Sequence, residues 1–137
     1  MAVKGLPQLS AKLKRLRTAT AEPVKIGVGK GAQLIVDEQK RLVPVRTGAL
    51  RDSIQCTFGD PPAYASVGLR MGGRQKNETR ATITAGSNAV RYAHLVELGH
   101  GGKPGSPFFY PGYRSRRKEA QKIIAAEVRA AVKAAAR

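Results

Sequence analysis

The sequence predicts an α+β fold: a small antiparallel sheet of three to four strands, packed with two N-terminal helices and a long C-terminal helix. Three observations carry this expectation. Apolar residues recur at helical spacing up to about Val43, and again beyond Gly112. Between them, short segments alternate apolar with polar residues and are separated by Gly- and Pro-rich turns. One stretch, Pro44-Val45-Arg46-Thr47-Gly48-Ala49-Leu50-Arg51-Asp52-Ser53-Ile54, joins the two regimes.

Size and charge set the frame. A chain of 137 residues is expected to form one domain. Its parts are a helical region over 1–43, an elbow with strands and a short helix over 44–111, and a C-terminal helix over 112–137. With aromatics at 5% and no Trp, the core should be mostly aliphatic. The single Cys56 excludes an internal disulfide and a thiolate zinc site. Lys and Arg number 25 against 9 acidic residues, a formal charge of +16. Such a field favours a polyanionic partner, nucleic acid first, and opposes self-association at low salt. No apolar run has the length of a membrane span, and the first residues lack a signal-peptide core. No membrane partner is therefore expected, and synthesis in the cytoplasm is.

Gly5-Leu6-Pro7 marks a helix start, with proline in the first turn. Leu6, Leu9, Leu13 and Leu16 follow on one face, and Lys12, Lys14, Arg15 and Arg17 occupy the others. Residues 18–21 read as a break. Thr20 or Glu22 would cap a second helix with Pro23 in its first turn, running to about Val43. Val24, Val28, Ile35 and Leu42 share a face beside Gly27 and Gly31. Each interior glycine costs about 1 kcal/mol of helix propensity relative to Ala. Close approach of another helix or strand would offset that. The run Gly27-Val28-Gly29-Lys30-Gly31 lacks P-loop spacing and follows no strand, so it gives no reason to expect a nucleotide.

The elbow reads as a helix stop at Pro44, a backbone turn at Gly48, and a short helical turn presenting Leu50 and Ile54 to a core. Residues 54–58, 63–69 and 80–86 then read as three strands of an antiparallel meander. The polar segment 71–79, flanked by Arg70 and Arg80 and carrying Arg74 and Lys76, would form a projecting hairpin tip, disordered in the free protein. Tyr92, Leu95, Val96 and Leu98 suggest a short buried helix stopped by Gly99. Residues 101–107 cannot continue it. The helix from about Gly112 has Tyr113, Ala120, Ile124, Val128, Ala131 and Ala135 on one face. Lys118, Lys122, Arg129 and Lys133 collect on the other, toward DNA, an acidic partner or solvent.

His94, Glu97 and His100 do not converge on one helix face, and their spacing is not that of a zinc-protease motif. Glu97 is expected to pair with an arginine at the sheet or at a subunit contact. No nucleophile–base pattern surrounds Ser53, Ser66 or Ser106. The carboxylates are too scattered to hold a catalytic cation. The chain reads as a non-enzyme with no cofactor and no metal.

The elbow, together with Tyr92-Ala93-His94-Leu95-Val96-Glu97-Leu98-Gly99-His100 and Pro107-Phe108-Phe109-Tyr110-Pro111, resembles a tail-component family of tailed bacteriophages. That family is typified by gene product ten of a lambda-like coliphage. The resemblance runs in order over roughly residues 20 to 135. His100 departs from it, since Thr often follows that Gly, and the basic insertion around Arg74 does not align. The resemblance makes Pro44, Thr47, Gly48, Leu50, Ser53, Tyr92, Glu97, Gly99, Pro107 and Phe108 the motif positions. It implies a tail-completion or neck protein of the virion, assembled in the bacterial cytoplasm as a ring of six or twelve copies around a DNA channel. Its partners would be head connector or head-closure proteins, tail terminator or tail tube proteins, and packaged double-stranded DNA. Arg74, Lys76 and the basic stripe of the last helix are the candidate contacts to DNA or acidic partners. The alternative is a stand-alone nucleic-acid-binding protein using the C-terminal helix.

Overall fold

The computed structural model describes residues 3–59, 61 and 79–137. Helix α1 spans Leu6–Leu42 and is followed by a short helix α2, Ala49–Ser53. Strands β1 (Gln55–Phe58) and β2 (Ala81–Thr84) form one antiparallel pair. Helix α3 (Ala93–Leu98) leads into a second pair, β3 (Gly99–His100) with β4 (Lys103–Pro104), and helix α4 spans Phe109–Ala135. The architecture is α+β, with long helices at either end and, among the described residues, only small two-stranded sheets.

Two sequence expectations need correction. The sheet of three to four strands is, among the described residues, a two-stranded pair plus a minimal hairpin. The expected strand 63–69 and the tip 71–79 with Arg74 and Lys76 lie outside the described residues, save Thr79. The first expected strand pairs directly with the third: Gln55 stands opposite Thr84, and Gly59 N–H donates to Arg80 C=O at 2.8 Å. The two N-terminal helices are one continuous helix. Thr18 and Thr20 do not cap. Their hydroxyls donate back to the Lys14 and Leu16 carbonyls, both at 2.9 Å, which keeps the turn helical. Pro23 therefore sits inside α1, where a proline costs about 3 kcal/mol. The packing of α1 on α4 just beyond it offsets that cost.

That packing is antiparallel: Gln39 of α1 meets Gly112 of α4, Gly31 meets Ala120 and Ile124, and Gly27 meets Glu127. A Cβ added at Gly31 would stand 3.1 Å from the Ile124 side chain and 3.2 Å from the Ala120 carbonyl. One at Gly27 would stand 2.7 Å from Glu127 Cβ. Gly29 serves a different neighbour, the Phe58 ring, whose Cζ would be 3.1 Å from such a Cβ. The glycine run is thus a helix interior cleared on two faces. Across the seam, Ala120 and Ala131 are buried. Tyr113, expected on the buried face, is instead exposed and carries Arg117 over its ring at 5.9 Å.

The apolar core lies at the other end of the seam, where Val36, Val43, Leu50, Ile54, Val90 and Phe108 meet. Ile54 and Phe108 are each only 1% exposed. Cys56 packs at the margin of this cluster, where burial pushes its thiol up.

Filling the seam tests it. Gly31→Leu is expected to lower stability by about 1–3 kcal/mol through overpacking against Ile124, despite its better helix propensity. Urea unfolding should show a lower midpoint with an unchanged slope.

Candidate assembly surface

The elbow is built by backbone geometry. Pro44 follows the last turn of α1, and Val43 N–H closes that turn on the Gln39 carbonyl. Gly48 has φ +82°, a left-handed conformation that favours glycine, and its carbonyl accepts the Asp52 N–H at 2.9 Å. Thr47 Oγ1 lies 3.4 Å from Ala49 N–H and accepts a long hydrogen bond from it. The resulting turn sends Leu50 and Ile54 into the core. Ser53 ties the elbow to the strand pair: its hydroxyl donates to the Leu50 carbonyl at 2.6 Å and accepts the Gly86 N–H at 2.9 Å.

The second motif is organised by Glu97. Its carboxylate is buried and accepts backbone N–H groups from Phe108 (2.7 Å), Phe109 (2.9 Å) and Tyr110 (3.1 Å). These lie at the start of α4, where no intrahelical acceptor exists. The next residue, Pro111, has no N–H to satisfy. One carboxylate thus completes the first turn of α4, with charge-assisted bonds and a favourable position in the helix dipole. The expected arginine partner for Glu97 is replaced by this backbone set. Gly99, with φ +87°, lets the chain leave α3 so closely that a Cβ there would stand 2.5 Å from the Lys103 carbonyl. Gly101 and Gly102 both take positive φ and close the β3–β4 hairpin. Pro107 is exposed immediately before Phe108, which fills the core.

The two motifs come together in space. Pro44, Arg46, Thr47, Gly48 and Leu50 line one side of a groove, and Tyr92 and Val96 line the other. Helix α3, expected to be buried, is buried only through Glu97, with Val96 half-buried. Tyr92 and Leu95 are exposed, and Leu98 is 77% exposed. The cause is its shortness: with Glu97 facing α4 and Ala93 and Val96 packed on the core, Leu95 and Leu98 are left facing outward. His94 and His100 are also exposed.

Two further polar residues brace the helices. Gln39, almost fully buried, donates to the Phe109 carbonyl at 2.9 Å. Glu38, also buried, lies between Arg41 of its own helix and Arg116 of α4. Its carboxyl is held below the usual range by the Arg41 hydrogen bond, against the opposing effect of burial; the charges of Arg41 and Arg116 add to the lowering. Sequence reasoning passed over Gln39 and Glu38, because an isolated polar residue on a polar helix carries no signal. The hairpin did have one, the Gly101-Gly102 pair. Lys118, Lys122, Arg129 and Lys133 are all exposed on α4, away from the seam. Arg74 and Lys76 lie outside the described residues.

The sequence model of a family described as "Bacteriophage HK97-gp10, putative tail-component" matches residues 8–99. The chain belongs to this family. The match takes in both the elbow and the Glu97 motif and stops before Pro107-Phe108 and α4. No curated protein and no solved structure matches the chain. Membership makes the protein a structural component of a phage tail, located in the virion among other phage structural proteins. The family's description is that of a tail component and names no catalytic activity. Among the described residues no helix is long and apolar enough to cross a membrane.

Two outcomes are expected. Glu97→Ala leaves buried N–H groups of the first α4 turn without an acceptor and should cost about 2–4 kcal/mol in denaturant unfolding. Glu97→Gln, which keeps one acceptor oxygen but no charge, should cost less. Glu38 governs an acid limb. Because folding lowers its pKa, its contribution is complete above the unfolded value of about 4.3 and is lost as pH falls through the folded value. Glu38→Gln should flatten that part of the stability–pH curve, read by urea unfolding across a pH series.

Proposed function

We propose that this tail component is a ring subunit of the head–tail neck of a long-tailed phage, completing the tail or joining it to the head around the DNA channel. The whole chain would act as one domain in that ring. The observation that carries the reading is the convergence of the two family motifs on one groove beside Tyr92, Leu95 and Leu98, apolar side chains left in water. A monomer gains nothing from such residues at that place, whereas a subunit contact would bury them. Copies of the chain would meet there. Head connector or head-closure proteins would lie on one side of the ring, and tail terminator or tube proteins on the other.

The basic stripe Lys118, Lys122, Arg129 and Lys133 suits the same reading. It would flank the channel, neutralising phosphates of passing DNA without reading bases, or meet acidic neighbours. Arg74 and Lys76 are proposed as further contacts of this kind. A stand-alone nucleic-acid-binding protein would use the stripe equally well, but would leave the exposed face of α3 without purpose.

Subunits of charge +16 repel one another. Purified protein should therefore sediment mostly as monomer at low salt, with assembly driven by partners. Gly48→Val or Leu50→Asp should yield DNA-filled heads and separate tails in electron micrographs of the lysate. A stable ring of the purified protein at low salt, or intact particles from those variants, would contradict the proposal.

A further inference from the structure

The first turns of α1 carry an apolar stripe that no described residue covers. Leu6, Leu9 and Leu13 remain 58%, 54% and 57% exposed. Leu9 and Leu13 stand eighteen residues, or five helical turns of about 3.6 residues, ahead of Gly27 and Gly31. They therefore lie on the line along which α1 receives α4. Helix α4 follows that line only part of the way: residues 135–137 face residues 11–19 across an open notch. The stripe is a continuation of the α1–α4 seam with the second helix missing.

Charge indicates what kind of chain would fill it. By helical counting Lys12 flanks the stripe on one side, with Lys14 and Arg17 on the other. No acidic residue precedes Glu22. Among the described residues no ion pair engages these cations. A second copy would bring the same cations to the same place. It also has few acids to offer. Among the described residues Asp37, Glu38, Asp52, Glu97, Glu119 and Glu127 all accept hydrogen bonds within their own chain. Duplex DNA would satisfy the cations but leave the leucines in water.

We propose that this stripe docks an amphipathic helix with acidic flanks from a different virion protein, seated end-on to α4 where that helix stops. The apolar positions supply the buried contact, and the flanking cations select the partner. The inference rests on membership of the tail-component family, not on the ring or its place in the neck.

The test uses the full chain in phage-producing cells. A photo-cross-linking residue is placed at Leu9 or Leu13, assembled particles are purified, and the cross-linked peptide is sequenced. The expected product joins this chain to another virion protein, through a segment with apolar residues at helical spacing and Asp or Glu beside them. Leu9→Ser/Leu13→Ser, and separately Lys12→Glu/Lys14→Glu/Arg17→Glu, should reduce incorporation into particles about tenfold, which is about 1.4 kcal/mol. Neither should lower the Tm of the purified protein, because those side chains are exposed in it. Any of four results would overturn the proposal: a cross-link to a second copy, a cross-link to DNA, no cross-link in assembled particles, or normal incorporation of both variants. A lowered Tm would do so as well, by showing that the stripe is used internally. A missing cross-link leaves the ring reading standing, and a different particle symmetry leaves this test intact.

Discussion

The structure depends on one buried carboxylate. Glu97 accepts hydrogen bonds from the backbone of Phe108, Phe109 and Tyr110, so it fixes where α4 begins and in which direction it sets out. Phe108 is carried into the core by the same arrangement, and Gln39 of α1 then reaches the Phe109 carbonyl from the opposite side. Without the carboxylate, the first turn of α4 would bring unsatisfied N–H groups into an apolar cluster. The short helix α3 exists chiefly to hold this side chain. That, with Ala93 and Val96 packed on the core, explains how a six-residue helix that leaves Leu95 and Leu98 exposed can persist.

From that anchor the two long helices run antiparallel, and small residues decide how closely they approach. Gly27 and Gly31 give α1 a bare strip where Ala120, Ile124 and Glu127 of α4 can sit against it. Alanine and glycine bury little apolar surface each, so the seam draws on length and proximity more than on side-chain volume. Lys30 adds an exposed pair to Glu127 at 2.6 Å, a contribution that solvent makes small. The strand pair is attached elsewhere, through Phe58 over Gly29 and Ser53 under Gly86, and so leaves the seam free.

Much of this was legible in the residues, and the misses have identifiable causes. The helical regions at either end, the stop at Pro44 and the positive-φ turn at Gly48 follow from periodicity and backbone chemistry. The break expected at 18–21 did not occur because threonine has two uses: the same hydroxyl that caps a helix from outside can donate to the carbonyl four residues back within it. The pairing of β1 with β2 was hidden because strand order is a long-range property that alternation cannot reveal. From its own surroundings in the sequence, Glu97 is a side chain awaiting an arginine. The acceptor-poor turn that claimed it lies more than ten positions downstream, and nothing local to Glu97 announces it. Glu38, Gln39 and Arg116 carry no pattern at all, since their meeting is created by the antiparallel packing of α1 and α4.

The distribution of charge completes the argument from structure to assembly. The fold consumes its anions: most acidic side chains among the described residues are engaged with their own chain, while Lys118, Lys122, Arg129, Lys133 and the cations of the first α1 turns point into solvent. Among the apolar residues the surface offers are those on the face of α3 and in the first turns of α1, set in a field of net positive charge. Apolar contact alone would join any two such surfaces, including copies of this chain in solution. A net positive field weakens those encounters at long range and favours contacts that arrive with compensating charge.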